Sequence, residues 1–342
     1  MSRPGPGLLV RSAPFLRRGV STPGLMMDVL IALGAVMLAA VWFFGLSAIL
    51  VVAATTAGAL AAELWLAPGG PRGSSLKDGS AALTGILLGL TLPPGFPLWM
   101  ALLGGGVAIG LGKAAFGGLG QNLFNPALVG RAFLQAAFPT AITTWSAQGT
   151  LADFGGVRGA NLALPLMQGA ADGTSATTPL GMMKFESEGT PLWSLLIGDS
   201  AGSLGETSAG LIILCGILLA LRRTFDWRIP VSIVLSAALF SGFLHGVMPG
   251  HCPGAPFMLL SGGLLFGAVF MATDPVTSPL APAGAWIFGA GIGVLVVLIR
   301  AFGGLPEGVM YAILLMNAAT PLIERAFQPR PLGRTRSGKA VA

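Results

Sequence analysis

Residues 26–45 read MMDVLIALGAVMLAAVWFFG and contain a single charged residue, Asp28. A run of this length matches the roughly 20 apolar residues that an α-helix needs to cross a bilayer. Arginines precede it, as in a secretory signal peptide, but the run exceeds the about 7–15 apolar residues of a signal core and lacks a cleavage-like boundary. We therefore predict a first membrane-spanning helix here.

Comparable apolar segments recur along the chain. Of its 342 residues, 54% are hydrophobic and 9% are charged, whereas soluble domains carry about 25% charged residues. The mean hydropathy is +0.80. This composition predicts an all-α polytopic membrane protein, embedded in the lipid bilayer, with about ten transmembrane helices. The predicted segments are 26–45, 47–66, 79–93, 97–114, 123–139, 208–222, 230–247, 255–273, 284–300 and 307–323.

The third and eighth segments look interrupted. The third is short and ends at Pro93-Pro94, and the eighth ends in ATDPVTSP at 272–279. Broken helices place loop backbone within the membrane, commonly around a site between inverted repeats. We predict two inverted five-helix repeats with broken third and eighth helices. The divisions are a cytoplasmic N-terminal segment (1–25), a first repeat (26–139), an extracytoplasmic loop (140–207), a second repeat (208–323) and a basic cytoplasmic tail (324–342).

The basic residues predict the orientation. The net charge is +6, but the positive residues flank apolar segments, which is a topology signal rather than a surface for nucleic acid. With the N-terminus inside, fifteen lie inside and only Arg158, Lys184 and Arg300 outside, while Arg131 falls within a span. We therefore expect a multi-pass protein of the bacterial inner membrane with cytoplasmic termini and a periplasmic 140–207 loop.

The inventory of metal ligands is small. Cys215 and Cys252 are too few and too far apart for a zinc or iron–sulfur framework, and His245 and His251 are the only histidines. No Rossmann fingerprint for a dinucleotide follows a predicted strand. We predict no metal site and expect any NADH site to lie on a partner subunit.

Residues 116–134, FGGLGQNLFNPALVGRAFL, combine clustered glycines with polar side chains. The Asn122 and Asn125 amides could bind the edge of a heterocycle. Arg131 lies inside a span, where basic residues are costly and usually functional. It could equally snorkel to the membrane surface or pair with a carboxylate such as Glu63. Both interpretations of Arg131 stay open at this point.

Asp274 lies where the eighth segment meets the cytoplasm, before a proline. Aspartate in this position commonly forms a turn or caps the next helix. The alternative is a carboxylate at the mouth of a cation path. The first interpretation is favoured, because no second intramembrane acid lies nearby in sequence.

The stretch ADGTSATTPL, 171–180, places four hydroxyl residues and one acid in the predicted outer loop. Solvated turn residues would account for it. A covalent attachment site also needs an accessible hydroxyl among small residues, with an acid for the modifying enzyme. Both interpretations fit the residues alone.

Four motifs in one order resemble a known family: DGSAALTGILLGLTLPP, GGLGQNLFNPALVGRAFL, DGTSATTPL and FMATDPVTSP. From about residue 26 to 325, the chain is similar to the family that unites the D subunit of the Rnf electron-transport complex with the B subunit of the sodium-translocating NADH:quinone oxidoreductase. The resemblance implies an FMN joined by a phosphoester to a threonine, so the chain would be a phosphoprotein. Its attachment motif implies Thr178 as the acceptor, with Asp172, Ser175 and Thr177 read by a flavin transferase. Ala176 and Thr177 depart from the usual Gly-Ala, which makes Thr177 the alternative acceptor.

The resemblance further implies a noncovalent riboflavin, with Asn122 and Asn125 as candidate contacts. From its position inside a span, Arg131 is a further candidate for a flavin contact, and Asp274 is the candidate for the ion path. The implied function is a flavoprotein subunit that relays electrons in an ion-translocating complex, coupling ferredoxin/NAD electron transfer to Na⁺ or H⁺ movement. Implied partners are the other Rnf subunits, including a second subunit with covalent FMN. The alternatives are the B subunit of the quinone reductase and, from another class, a secondary transporter or channel without a redox role.

Overall fold

The computed structural model describes residues 22–66, 75–146, 148–149, 154–165, 177–186, 189–248 and 252–328. Within these ranges the chain forms helices joined by loops, without a β-strand, which confirms the all-α polytopic fold. The helices are α1 (Thr22–Phe44), α2 (Leu46–Leu66), α3 (Ser80–Leu90), α4 (Leu98–Gly112), α5 (Pro126–Ala137), α6 (Pro139–Thr143), α7 (Pro179–Gly181), α8 (Leu192–Ile197), α9 (Ala209–Leu221), α10 (Arg228–Val247), α11 (Ala255–Leu260), α12 (Leu264–Phe266), α13 (Pro282–Phe302) and α14 (Val309–Ala326). Short 3-10 turns at Ser75–Asp78, Ala114–Phe116 and Leu204–Glu206 and π-helical turns at Met182–Glu186 and Gly267–Met271 complete the described elements.

The ten predicted segments are all helical, but they differ in length. Five helical stretches of the described chain are long and apolar enough to cross a membrane: α1, α2, α4 with the 3-10 turn that follows it (Leu98–Phe116), α10 and α13. The helices α3, α5 and α9 have only 11, 12 and 13 residues, fewer than a full span needs. The predicted segment 123–139 is therefore shortened at its start, because the glycines and Asn125 before Pro126 form a loop and a helix cap instead.

The third and eighth segments are interrupted, as predicted. After α3, the Thr91 hydroxyl donates to the carbonyl of Leu88 at 2.7 Å, and the chain turns at the two prolines. The eighth segment breaks at Ser261–Gly263, earlier than its proline-rich end, because Ser261 is extended and Gly262 has a φ of +62°. That positive φ favours glycine. The segment resumes as α12 and a π-helical turn, an element often found at functional sites.

Helix packing follows one order in both halves. In the first half α2 packs on α4 and α4 on α5, and in the second half α10 packs on α13 and α13 on α14. In each half, a glycine allows the two central helices to pack closely. A Cβ on Gly105 of α4 would overlap the Thr55 carbonyl oxygen of α2, and a Cβ on Gly293 of α13 would lie 2.6 Å from the Ile233 carbonyl oxygen of α10. The two halves meet through α1 with α9 and α5 with α14. This recurrence is what two structurally related halves predict.

A buried ion pair joins three helices of the first half. Lys113 Nζ lies 2.8 Å from Glu63 Oε1 and donates to Ser80 Oγ at 2.8 Å. Asp78 Oδ1 accepts hydrogen bonds from the Ser80 amide and hydroxyl at the start of α3. Lys113, one of the fifteen basic residues counted on the inner side, therefore has its ammonium group buried inside the protein.

Candidate functional site

Thr178 occupies the first position of a short, well-packed helix. It is the N-cap of α7, its Oγ1 accepts a hydrogen bond from the Gly181 amide at 3.1 Å, and Pro179 follows at the position where proline favours a helix start. The residue is only 5% exposed, whereas Thr177 is exposed. The other predicted motif residues, Asp172 and Ser175, lie outside the described residues.

The segment after Thr178 is anchored to the second half of the protein. Leu180 packs against Leu195 and Phe257. The Lys184 ammonium group donates hydrogen bonds to the carbonyl oxygens of Arg300, Gly303 and Leu305, at and just after the end of α13. These contacts hold Thr178 against the helix bundle rather than in a solvated loop.

Thr178 lines a cavity of about 450 Å³, here called the Thr178 cavity. Its walls come from α5, α6, α7, the broken eighth segment, the loop before α14 and α14 itself. Aromatic side chains contribute much of the lining: Trp145, Phe185, Phe266 and Tyr311. This volume lies within the roughly 300–1,000 Å³ of typical cofactor and ligand sites, which are mostly apolar with a few polar groups.

Three charged side chains face the Thr178 cavity. Arg131 Nη2 donates to Glu307 Oε2 at 2.6 Å, and both residues line the cavity together with Glu206. The suggested pairing of Arg131 with Glu63 is therefore wrong, because Glu63 is bound by Lys113 and Arg131 reaches across to the other half. Burial, and next the Glu307 carboxylate, raise the pKa of Glu206 to about 7, although Arg131, Ser203 and Arg300 act in the opposite direction.

The pair formed by Arg131 and Glu307 joins the two halves, since it links α5 to the loop before α14. We expect Arg131→Leu to lower the free energy of unfolding by about 1.5–3 kcal/mol, the usual worth of a hydrogen bond to a charged group. Thermal unfolding in detergent checks this value. Arg131→Lys should recover part of the loss, and an unchanged melting temperature in Arg131→Leu would contradict the role of the pair.

The break in the eighth segment is filled by a buried arginine. Arg300 is 4% exposed, and its guanidinium donates to the carbonyls of Met258 at 2.6 Å and Ser261 at 3.1 Å. Carbonyl groups released by a broken helix need such a donor within a membrane protein. The orientation inferred from charge counts Arg300 among the outer residues. The structure adds that its side chain is buried and reaches the break rather than a surface.

Asn122, Asn125 and Asp274 line a second, narrower cavity of about 80 Å³, here called the Asn122 cavity. Asn122 Oδ1 is buried and has no hydrogen-bond partner in the described chain, and the same holds for Oγ1 of Thr224 in the same wall. The Asn125 amide is engaged within the protein: its Oδ1 caps α5, and its Nδ2 donates to the Met271 carbonyl at 3.1 Å. Asn122 thus has a free acceptor for a ligand, whereas Asn125 positions the wall.

Asp274 forms a turn. Its Oδ1 accepts from the Val276 amide at 3.2 Å and its Oδ2 from the Thr277 hydroxyl at 3.3 Å. Burial raises the pKa of its carboxyl group, and these two hydrogen bonds partly offset the effect. These hydrogen bonds show that Asp274 forms the turn. Asp274 also lines the Asn122 cavity, so its carboxylate lies next to a polar pocket.

The structure divides the predicted site residues between the two cavities. Arg131 joins Thr177 and Thr178, although the sequence motif had grouped it with Asn122 and Asn125. One π-helical turn, Gly267–Met271, contributes to both walls: Phe270 lines the Asn122 cavity and Met271 the Thr178 cavity. Sequence reasoning missed Glu206 and Glu307 as cavity residues. Arg300 is the only charged residue in the apolar segment 284–300, which could have indicated a buried role. Its position at the end of that segment instead suggested an ordinary flanking residue.

Comparison with known proteins gives consistent matches over nearly the whole chain. Residues 9–333 match the family described as "NQR2, RnfD, RnfE family". The chain is similar to the D subunit of the "Ion-translocating oxidoreductase complex" of Stutzerimonas stutzeri, with 43% identity over 88% of this chain and 89% of that protein. It is also similar to the D subunit of the "Proton-translocating ferredoxin:NAD(+) oxidoreductase complex" of Clostridium ljungdahlii, with 37% identity over 96% of each. A further relative is the D subunit of the ion-translocating oxidoreductase complex of Yersinia enterocolitica, at 38% identity over 96% of this chain and 99% of that protein.

Proposed function

Since this chain belongs to the NQR2, RnfD, RnfE family, we propose that it relays electrons between two flavins in the membrane part of an ion-translocating oxidoreductase complex. Its relatives are named as the D subunits of such complexes, and its long apolar helices agree with a multi-pass membrane subunit. In this proposal an FMN is bound covalently to Thr178, and a riboflavin lies without a covalent bond beside Asn122.

One observation carries the proposal: Thr178, although only 5% exposed, lines a large cavity with aromatic residues in its wall, so its hydroxyl would be reached from that cavity. The residues fit an FMN, because the volume is that of a cofactor site and Arg131 supplies a cation in the wall of the same cavity. Trp145, Phe185 and Tyr311 would pack against the cofactor and exclude water. A flavin supplies one- or two-electron transfer, and the protein sets its position and potential.

The Asn122 cavity fits the second flavin in its polar groups but less well in its volume. Two buried oxygens without partners in the described residues, Asn122 Oδ1 and Thr224 Oγ1, would accept hydrogen bonds from the edge of a flavin ring. At about 80 Å³ the cavity is smaller than a typical cofactor site, so binding of a whole riboflavin requires its walls to move apart. The shared π-helical wall would keep the two flavins close.

The partners and the coupling follow from the same family. The electron donors and acceptors, including a second subunit with covalent FMN, would be other subunits of an Rnf complex, and a flavin transferase would load Thr178. Asp274 is the candidate residue for the ion path. We propose coupling to ferredoxin/NAD electron transfer, in either direction, with Na⁺ or H⁺ as the ion. The names of the relatives favour this assignment over the quinone reductase.

The proposal is tested with the whole complex, made with its flavin transferase and placed in sealed vesicles. Reduced ferredoxin and NAD⁺ should drive ion accumulation, and the Thr178→Ala complex should lose both electron transfer and accumulation. A sodium ionophore and a protonophore distinguish the two ions. Ion movement that persists in an intact Thr178→Ala complex without electron donors would instead indicate a transporter, and electron transfer to quinone would indicate the quinone reductase.

A further inference from the structure

Glu206 lies in a glycine cradle at the edge of the Thr178 cavity. It ends the 3-10 turn Leu204–Glu206 just before α9. A Cβ added to Gly263 would lie 2.5 Å from Glu206 Oε1, and one added to Gly202 would lie 3.7 Å from Oε2. Gly263 has a φ of −73°, which any residue can adopt. The backbone at Gly263 therefore does not require glycine. The absence of a side chain there instead leaves space for the Glu206 carboxylate.

Glu206 also lines a third, much smaller cavity. It has a volume of about 10 Å³ and is lined by Thr178, Ser200, Glu206 and Glu307 among others. That volume is close to the minimum of roughly 10–15 Å³ that holds one water molecule, and its walls offer polar partners. Glu206 thus lines both the Thr178 cavity and a polar space about large enough for a single water.

The charges around Glu206 come from three different elements. Glu307 belongs to the loop before α14, Arg131 to α5 and Arg300 to α13. Arg131 is already paired with Glu307, and Arg300 with the carbonyls of the broken segment. Among the residues that the structure describes, Glu206 is therefore the carboxylate of this cavity that forms no ion pair with a base.

We propose that Glu206 is the proton-holding residue of the Thr178 cavity, which takes up one proton for each electron that enters the cavity. This inference rests on the proposed flavin at Thr178. The electron comes from a redox centre of a partner subunit. The proton comes from water on the side of the membrane where residues 177–186, here called the Thr178 loop, lie. The carboxylate becomes a neutral carboxylic acid, so the net charge of the cavity stays constant. When the electron leaves, the proton returns to water.

The physical reason is the low polarity of the enclosed cavity. An added negative charge in such surroundings is unfavourable, and it favours the protonated form of a nearby carboxyl group. Burial and the Glu307 carboxylate already raise the pKa of Glu206 to about 7. A further negative charge raises that pKa above neutrality, so at a pH just above 7 the carboxylate takes up a proton when the electron enters. Glu206 does not react with the cofactor in this proposal. Its protonation offsets the added negative charge and so affects the midpoint potential of the cofactor electrostatically.

The first test needs no flavin. Infrared difference spectra of the intact complex, made without flavin transferase, should show a carboxylic C=O band that titrates near neutral pH in the wild type. Glu206→Gln should lose the band, whereas Glu186→Gln, which removes an exposed carboxylate of the Thr178 loop, should keep it. Gly263→Ala keeps the carboxylate but should shift the titration, because its Cβ displaces Oε1. No band near neutrality, or the same band in Glu206→Gln, would overturn the proposal.

The second test uses the loaded complex. The midpoint potential of the Thr178-linked flavin should fall with pH above neutrality, where Glu206 is ionised before the electron enters, with a slope approaching about 59 mV per pH unit, the value for one proton per electron. This slope should flatten in Glu206→Gln and persist in Glu186→Gln. An identical slope in Glu206→Gln would overturn the role of Glu206. A wild-type chain without covalent flavin would contradict the proposed function instead, while the infrared result would still stand.

Discussion

Thr178→Ala is expected to abolish the covalently bound flavin completely. A phosphoester needs a hydroxyl oxygen, and alanine has none. Thr178 Oγ1 only accepts a bond from the Gly181 amide in the described structure, and an ester oxygen can still accept that bond. Protein made with its flavin transferase, denatured and run on a gel, should fluoresce in the wild type and be dark in Thr178→Ala.

Matched variants separate the two neighbouring threonines. Thr177→Ala removes an exposed hydroxyl one residue away and should keep the fluorescence, and Thr178→Ser retains a hydroxyl and should recover part of it. Equal amounts of each chain in the membrane must be verified by immunoblot. A dark Thr177→Ala beside a bright Thr178→Ala would assign the phosphoester to Thr177. A dark wild type would contradict flavin attachment to this chain.

Removal of one partner of the Lys113–Glu63 pair is expected to destabilise the protein more than loss of the Arg131–Glu307 pair. The two side chains are 5% and 4% exposed, and their charged atoms lie 2.8 Å apart. Glu63→Leu leaves the Lys113 ammonium group buried without its carboxylate, which typically costs about 3–5 kcal/mol. Unfolding of the purified chain in detergent, followed by circular dichroism, would measure the loss.

The double variant Glu63→Leu with Lys113→Met tests the physical cause. If an uncompensated buried charge causes the loss, removal of both charges should recover most of it, because a well-packed apolar pair is often neutral in comparison. Asp28→Ala is the control: its partner Arg222 has a side chain that is 66% exposed, and such surface pairs contribute about 0–1 kcal/mol. Equal losses in the double variant and in Glu63→Leu would show that packing, not charge, is responsible.

Local patterns were sufficient for several features. Twenty apolar residues around Leu33 predict a helix because helix length and hydropathy are properties of contiguous sequence, and α1 confirms it. The prolines after Leu92 predicted the end of α3 for the same reason. Thr178 was selected by the resemblance to a known attachment motif, aligned by its spacing to Asp172, and its attachment to flavin stays a prediction.

Other features depend on contacts between distant segments. Arg131 and Glu307 are 176 residues apart, so nothing near Arg131 indicated its partner. The sequence placed Arg300 near the end of a span but did not indicate that its side chain is buried, and the broken segment beside it explains that burial. Glu206 had no distinctive sequence pattern, because its cradle comes from Gly202 and Gly263 and its charged neighbours from three other elements.

The sequence alone thus determined that this is an all-α membrane protein with interrupted third and eighth segments, because hydropathy and helix breaking act over a few neighbouring residues. The tertiary structure decided which polar groups meet: Arg131 with Thr178 in the larger cavity, and Asn122 with Asp274 in the smaller one. The reason is that the electrostatics of a buried group depend on what surrounds it in space. In a bundle of two halves, those surroundings come from opposite ends of the chain.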